Sequence, residues 1–455
     1  MDSRPTVAVL GAGWSGLSAA VRLVEGGCRV ILLEKRAVPG GRALSYTDND
    51  SGDALDNGPH IFLGCYSGTI RFLDAIGAGA RLRFSRRLRL AFIDRERGAF
   101  QFRCPSLPSP WNLLAGLLGL RGLDLPDRFR ALRLGAWARR LTESDLQRLE
   151  SSTLETWLAK AGQTPAIRRV IWDPIAMAAL NEDPAVASAA VFARVFREAF
   201  LSGGPSGIGL SAFGLSDLYA GPALRFLEKN GCEVRFRSGV SRILIGPGGV
   251  DGLQLGDGTR IAADAYLSTL PPRDLQAALP RTTFHSDPYF RRIASLETSP
   301  VVSIHLWYDR KFLEEPFVGL LGTRTQWLFD RRAILGSEGE GSGLSAVISA
   351  ARSYIDWPAS DIIAMAEEDI AACVPAARRA RLLRAKVVKE RHATFSPRAG
   401  SSRLRPGPRT PIPNLILGGD WTDTGLPGCI EGAVRSGERA AAEVGRFVLE
   451  DRTVE

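Results

Sequence analysis

Lysine is scarce in this chain of 455 residues. Six of its 58 basic residues are Lys, so arginine carries nearly all of the cationic side of a net charge of +9. The arginines are scattered, with no basic stripe interleaved with aromatics, which argues against a nucleic-acid binder. No CxxC occurs among the six cysteines (Cys28, Cys65, Cys104, Cys232, Cys373, Cys429). That excludes a zinc ribbon, a thioredoxin-type site and a small disulfide scaffold, and no metal site is expected. The thiols read as small hydrophobes in a reducing compartment. No run of 18 apolar residues is present, so no spanning helix is expected. The start, MDSRPTVAVLGAG, enters a strand pattern at once, without a signal peptide. The expected location is cytoplasmic, with the inner face of the cell membrane as the place of any surface contact. With 45% hydrophobic and 24% charged residues the chain is globular, and its length calls for two or three domains.

What is present is concentrated at the two ends. Thr6–Leu10 reads as a buried parallel strand. Gly11-Ala12-Gly13-Trp14-Ser15-Gly16 follows, then a helical pattern to Val24, a Gly26-Gly27 stop, and a second strand Arg29–Leu33 closing on Glu34. This is a βαβ unit with GxGxxG at its first turn. Gly11 allows the tight turn, Gly13 the approach of a pyrophosphate, and Gly16 close helix–strand packing. The helix start offers unpaired amides and partial positive charge to phosphate, and Glu34 can accept from ribose hydroxyls. At the other end, strand Leu415–Leu417 runs into Gly418-Gly419-Asp420-Trp421-Thr422, then Gly425–Val434 begins a helix near Gly428.

The segment Lys35-Arg36-Ala37-Val38-Pro39-Gly40-Gly41-Arg42 resembles the E-x(5)-G-G-R/K extension of flavoproteins in the amine oxidase and phytoene desaturase superfamily. Asp56-Asn57-Gly58-Pro59-His60 resembles its D-x-G-x-H element, which runs past the isoalloxazine ring. The resemblance implies FAD as cofactor. It implies cofactor contacts at Gly11, Gly13, Trp14, Ser15, Gly16, Glu34, Lys35, Gly40, Gly41, Arg42, Gly58, Pro59 and His60. Further contacts are implied at Val240 (adenine, through its backbone), Gly419, Asp420, Leu426, Pro427 and Ile430. Arg42 would counter the pyrophosphate charge.

The fold class expected is α/β (α+β overall): a Rossmann-like FAD-binding domain with an inserted mixed helix/sheet substrate domain. The FAD domain is assigned to 1–99, 221–284 and 396–455, and the substrate domain to 100–220 and 285–395. Ser109-Pro110 offers an N-cap for a helix over Trp111–Leu120. A second helix is expected from Pro126, with Phe129, Leu132 and Ala136 on one side and several Arg around it. A third is expected from a capping box at Ser152–Glu155 to Gly162. Two readings of residues 110–140 stand: helices closing a substrate core, or a membrane-surface patch with Arg at the headgroups. Turn chemistry gives a β-meander from Cys232 through the turn Gly256–Thr259, ended by Ala263–Pro272. His305 and Trp327 read as structural.

Together with Ala179-Leu180-Asn181, Gln326-Trp327-Leu328-Phe329-Asp330 and Gly419–Pro427, the Asp56–His60 segment resembles the squalene-associated FAD-dependent desaturases, better described as hydroxysqualene dehydroxylases of bacterial hopanoid biosynthesis. The implied reaction is reductive dehydroxylation of hydroxysqualene to squalene. The implied partners are a long-chain isoprenoid and a reductant, NAD(P)H or an electron-transfer protein, with peripheral membrane contact. Pro59 stands where the family pattern has Gln, and Pro59-His60 is closer to carotenoid desaturases, so a phytoene-type desaturase is the alternative. A non-catalytic prenyl-lipid escort of the GDP-dissociation-inhibitor type shares the fold without flavin; the intact glycines, Glu34 and Gly419-Asp420 count against it. An amine oxidase lacks support, since no aromatic cage is evident near the terminal motif. His60 and Asp423 are the expected catalytic residues, with Asp217 and Asp173 as further acids. Trp172, Asp217, Tyr219 and Trp421 are the expected substrate-pocket residues.

Overall fold

The computed structural model describes residues 4–108, 111–201, 207–337 and 341–452. Five parallel strands form its first sheet, in the order Glu233–Arg235, Arg29–Leu33, Thr6–Leu10, Ala265–Ser268, Leu415–Leu417. The apolar runs of the last four are buried on both faces, as expected of strands in a covered parallel sheet, while the edge strand Glu233–Arg235 is half-buried. Val7, Val9, Val30 and Leu32 pack against the helices Trp14–Glu25, Gly221–Lys229 and Ile430–Arg452. Ala8, Leu10, Ile31 and Leu33 pack on the other side against the meander Val240–Gly246, Gly249–Leu255, Arg260–Ile261. The period-2 alternation of the strands thus feeds two cores. The last helix starts at Ile430, two residues beyond the expected Gly428.

A second sheet has seven strands in the order Leu382–Phe395, Thr298–Tyr308, Ser342–Ser349, Trp327–Asp330, Phe317–Leu321, Arg89–Asp94, Gly98–Arg103. All its pairings are antiparallel except Phe317–Leu321 with Arg89–Asp94. The hairpin Arg89–Arg103 therefore belongs with residues 298–395, and the expected boundary at 99/100 cuts through it. At the other boundaries, Leu215, Leu218 and Tyr219 pack in the first sheet's helical core, and Phe284, Phe290 and Ile293 in its meander core. Burial of these apolar side chains, invisible to turn signals, moves the divisions.

A helical block, Trp111 to Phe196, has its own core around Leu134, Trp157, Leu158, Trp172 and Phe192. The expected cap Ser109-Pro110 lies outside the described residues. Helix Leu125–Arg140 is capped by Asp124 and carries Pro126 in its first turn. It buries Ala131, Leu134 and Ala138, whereas Phe129 is 62% exposed, as the membrane-surface reading of this helix requires and the core-closing one does not. Helix Leu154–Lys160 is capped by Thr153, which accepts from the Thr156 amide at 3.2 Å; the expected Ser152–Glu155 box does not form. Asn181 sits in left-handed conformation (φ +51°) and ties the block to the second sheet. Its amide donates to Ser299 O (3.2 Å) and Thr394 Oγ1 (3.0 Å), and its Oδ1 accepts from the Ala350 amide (2.8 Å).

Candidate active site

Strand Thr6–Leu10 ends at Gly11, whose φ of +102° favours glycine. A Cβ on Gly16 would lie 1.8 Å from the Gly11 carbonyl oxygen, so only glycine lets the first helix sit this close. No side chain caps that helix, which leaves the amides of Trp14, Ser15 and Gly16 for an anion. Gly13 stands open: a Cβ there would meet only Gly41 Cα, at 3.8 Å. The Gly40 amide donates to Ala12 O at 2.8 Å, so the second glycine pair lies across the first turn. Glu34 is buried; its carboxylate accepts from the amides of Ala12 and Arg36, both at 2.9 Å. Lys35 turns outward to an ion pair with Asp274.

Tyr219, expected in a substrate pocket, is fully buried beneath this loop. Its hydroxyl donates to Gly40 O (2.8 Å) and Ala43 O (3.1 Å), and its ring stacks on Trp14 at 3.6 Å. It is a positioning residue for the Gly40–Ala43 turn.

The two chain ends meet at Arg42. Its guanidinium pairs with Asp420 and donates to Ala393 O at 2.7 Å. The pair leaves Arg42 one-third exposed and Asp420 buried. Gly419 donates to Ser436 Oγ at 2.9 Å. Arg405, which no motif marks in sequence, braces the terminal loop from within: it donates to Asp420 O (3.1 Å), Trp421 O (3.2 Å) and Thr424 Oγ1 (3.2 Å). Leu426, Pro427 and Ile430 are buried at the start of the last helix. Val240 begins the meander, partly buried against its core.

Three further expectations are corrected. Asp423 is exposed, and its Oδ1 caps a local turn by accepting from the Gly425 amide (3.2 Å). Trp421 is core: its indole donates to Leu270 O at 3.1 Å. Asp217 is exposed, its carbonyl held by Arg81 at 2.6 Å. Short polar side chains near turns serve the backbone first. Asp173 is taken up by Arg168, at 3.5 Å.

Trp172 does line a cavity, of about 600 Å³, between the helical block and the hairpin Arg89–Arg103. Its walls are Leu, Phe, Ile, Val, Ala, Gly and Trp, with Arg139 and Arg140 the only charged residues among the described lining. A much smaller cavity of about 50 Å³ lies beside Gly58–His60 and is lined by Asp56, Pro59, His60, Phe329, Ile334, Arg331 and Ser345, among others. The aromatic cluster of Phe92, Phe100, Phe317, Trp327 and Phe329 is continuous with the walls of both.

The small cavity concentrates polar groups. His60 Nδ1 lies 2.7 Å from Gly58 O, so that nitrogen is the donor and Nε2 the acceptor of the neutral ring. Burial lowers the His60 pKa and raises that of Asp56, which accepts at Oδ1 from Ser45 Oγ (2.5 Å) and the Leu215 amide (3.0 Å). Arg331 follows directly on Gln326–Asp330: Asp330 caps the short helix Arg331–Leu335 through the Ala333 amide (3.1 Å). Arg331 is 9% exposed, lies over the Trp307 ring at 4.7 Å, and gives Nη1 to Leu344 O and Ser345 Oγ. Burial lowers its pKa to about 10, which leaves it cationic at neutral pH. His305 is fully buried against Ser345 Oγ (2.9 Å), in line with the structural reading. Neither Arg331 nor Ser345 carries a motif signal of its own.

The geometry defines a dinucleotide-binding oxidoreductase fold with an apolar substrate half. Residues 14–445 match the family described as flavin containing amine oxidoreductase, and the chain belongs to that family. It is 32% identical over 444 residues to hydroxysqualene dehydroxylase of Rhodopseudomonas palustris, covering 96% of this chain and 97% of that one. It is 27% identical over 477 residues to the chloroplastic/chromoplastic 15-cis-phytoene desaturase of Solanum lycopersicum, covering 97% and 78%. An oxidoreductase from Methanosarcina mazei has the same fold: TM-score 0.77 at 19% identity, covering 96% of this chain and 100% of that one. The protein is thus an FAD-dependent oxidoreductase. The uncapped helix start and the open backbone at Gly13 fit that cofactor.

Proposed function

We propose that this enzyme removes the hydroxyl of hydroxysqualene reductively to give squalene. The observation that carries the reading is the apolar cavity of about 600 Å³, whose wall shares one aromatic cluster with that of the small cavity beside His60. The 32% identical relative named for this reaction supports it. Gly11–Gly16 and Gly41 would hold the FAD pyrophosphate, Glu34 the ribose, and Gly58–His60 and Leu426–Ile430 the ring. FAD, once reduced by NAD(P)H or an electron-transfer protein, would supply the hydride. Hydroxide is a poor leaving group, so its loss as water needs a proton. Asp56 is the carboxyl in the small cavity, and burial keeps it protonated to higher pH than an ordinary aspartate. Aromatic faces stabilise a delocalised allylic cation, and the apolar walls exclude water from it.

The same cavity suggests how an insoluble substrate enters. Trp111, Leu125 and Phe129 are 61%, 59% and 62% exposed on the helices that form its outer wall. Arg121, Arg133, Arg139 and Arg140 nearby have no carboxylate partner among the described residues. No helix among those residues is long and apolar enough to cross a membrane. Apolar side chains ringed by unpaired Arg suit the surface of an anionic bilayer. Flotation with phosphatidylglycerol vesicles should be strong, and weak for the double variant Leu125→Ser/Phe129→Ser; equal flotation of both rejects this face.

Anaerobic incubation of the chemically reduced holoenzyme with hydroxysqualene, read by mass spectrometry, tests the reaction. Squalene is expected. Pro59-His60 and the 27% identical relative favour a second reading, phytoene desaturation. No squalene, with dehydrogenation of phytoene by the oxidised enzyme, establishes that one instead.

A further inference from the structure

The scatter of the arginines has one exception. The nine residues Arg81–Arg89 hold five arginines and no acid. Arg83, Phe84, Arg86 and Arg87 lie exposed on and just beyond the edge strand Leu82–Phe84. Arg89 pairs with Glu315, whereas Arg83, Arg86 and Arg87 have no carboxylate partner among the described residues. Phe213 joins the patch: it is 43% exposed, with the Arg81 guanidinium over its ring at 5.0 Å. Asp217 borders it and meets Arg81 through its carbonyl, at 2.6 Å. Cations gathered without counter-charge give this surface a positive field.

Two routes join the patch to Gly58–His60, the segment to which the flavin ring is assigned above. Phe213 lines the small cavity there and is also exposed, so it stands at that cavity's mouth. Strand Leu82–Phe84 pairs with Ile208–Ser211, which pairs in turn with Phe62–Leu63. Phe84 and Phe62 both stand opposite Gly209, so the three form one row across the sheet. The Phe84 ring lies against Gly209, where a Cβ would come within 2.7 Å of it. Phe62 is fully buried and lines the same small cavity. Two strand spacings, about 10 Å, separate the surface at Phe84 from the wall beside His60.

The proposed reaction consumes reduced flavin in every turnover, so two electrons must return each time. The cavity of about 50 Å³ has no room for a nicotinamide ring, and the walls of the one of about 600 Å³ suit a hydrocarbon, not a dinucleotide. We propose that Arg83, Arg86 and Arg87, with Phe84 and Phe213, dock a small acidic electron-transfer protein that reduces the flavin one electron at a time. Two reduced carriers are oxidised in succession, and their two electrons with one proton from water convert FAD to its hydride-donating form. The inference rests on the reductive reading and names the class of its reductant. Opposite charge steers such encounters, and redox interfaces are small and short-lived. An anionic bilayer is the competing occupant. Phe84 packs down on Gly209 and Phe213 lies under Arg81, so neither ring stands out to enter an acyl layer as Trp111 and Phe129 do.

The probe is an acidic ferredoxin of the plant type. Its binding to the oxidised holoenzyme is measured by calorimetry, and anaerobic bleaching of the flavin by its reduced form by stopped-flow absorbance. Binding should weaken at least about tenfold between roughly 20 and 200 mM salt. The triple variant Arg83→Glu/Arg86→Glu/Arg87→Glu should weaken binding and slow bleaching at least about tenfold. The charge-preserving Arg83→Lys/Arg86→Lys/Arg87→Lys should keep most of both. Reduced methyl viologen needs no docking site and should bleach all three proteins equally. A Glu triple slowed as much with viologen as with ferredoxin overturns the proposal, because the defect is then in the flavin site. Equal bleaching of wild type and the Glu triple by ferredoxin, or rapid bleaching by NADPH alone, overturns it as well. Loss of phosphatidylglycerol-vesicle flotation in the Glu triple, with ferredoxin reduction unchanged, overturns it in favour of the bilayer. Chemically reduced enzyme that makes squalene, but that ferredoxin does not reduce, overturns this surface alone. No squalene, with dehydrogenation of phytoene by the oxidised enzyme, overturns the underlying reading too.

Discussion

The two halves of this enzyme recognise by different means. In the nucleotide half, backbone does most of the recognition: helix-start amides, a turn at φ +102° and two glycine pairs laid against each other. In the substrate half, side chains do it: an apolar cavity, and a small cavity lined by the half-buried His60 and the buried Arg331. Backbone recognition demands particular residues at fixed spacing. A greasy cavity demands only volume, which many sequences supply. The first kind is sharply intolerant of substitution and the second is forgiving except at its few polar groups.

Substitutions at the glycines press hardest on that contrast. Gly16→Val should destroy the first turn, since its Cβ meets a backbone oxygen, and leave no folded flavoprotein. Gly13→Val has room in the protein itself, so circular dichroism should stay near wild type while flavin absorbance is lost. Full flavin content in Gly13→Val would break the idea that backbone approach there binds the cofactor. Next comes the seam between the two flavin motifs. Asp420→Asn strands Arg42 and should cost about 3 kcal/mol in urea unfolding, the low end for a buried pair because Arg42 is partly exposed.

His305 supplies a smaller, pH-dependent effect from the substrate half. Burial lowers its pKa to about 3, whereas an unfolded imidazole titrates near ~6.5. The unfolded chain binds more protons between those values, so stability falls as pH drops from about 6.5 toward 3. Between pH 7 and 5 that loss should reach about 2 kcal/mol and be absent in His305→Asn. Smallest is Tyr219→Phe, which removes one hydroxyl donor from the Gly40–Ala43 turn. It should cost about 1 kcal/mol and loosen flavin while leaving the substrate KM unchanged. A raised KM with intact flavin would return Tyr219 to the substrate pocket.

Much of the nucleotide half is legible from the chain itself. Strands Thr6–Leu10, Arg29–Leu33 and Leu415–Leu417 fall where their apolar runs predict. The Asn181 and Gln326–Asp330 segments were readable as distinctive but not as to purpose. One proves to be a seam between helices and sheet, the other a lead into Arg331. Asp423 and Asp217 look like acids for catalysis in sequence, yet both lie exposed, and Asp423 serves a local turn, because a carboxylate beside a free amide is taken up locally. Arg405 and Arg331 carry no signal at all amid so many scattered arginines.

The amino-acid sequence by itself determined the cofactor fold, because glycine geometry and strand–turn–helix order are local properties written in consecutive residues. Only the tertiary structure decided what the arginines do. Among so many alike in sequence, Arg42 bridges two motifs, Arg405 braces a loop, Arg331 is buried against Trp307, and those around residue 130 face solvent. The reason is physical: a guanidinium's role depends on its burial and on the groups around it, and the chain brings those from residues far apart in sequence.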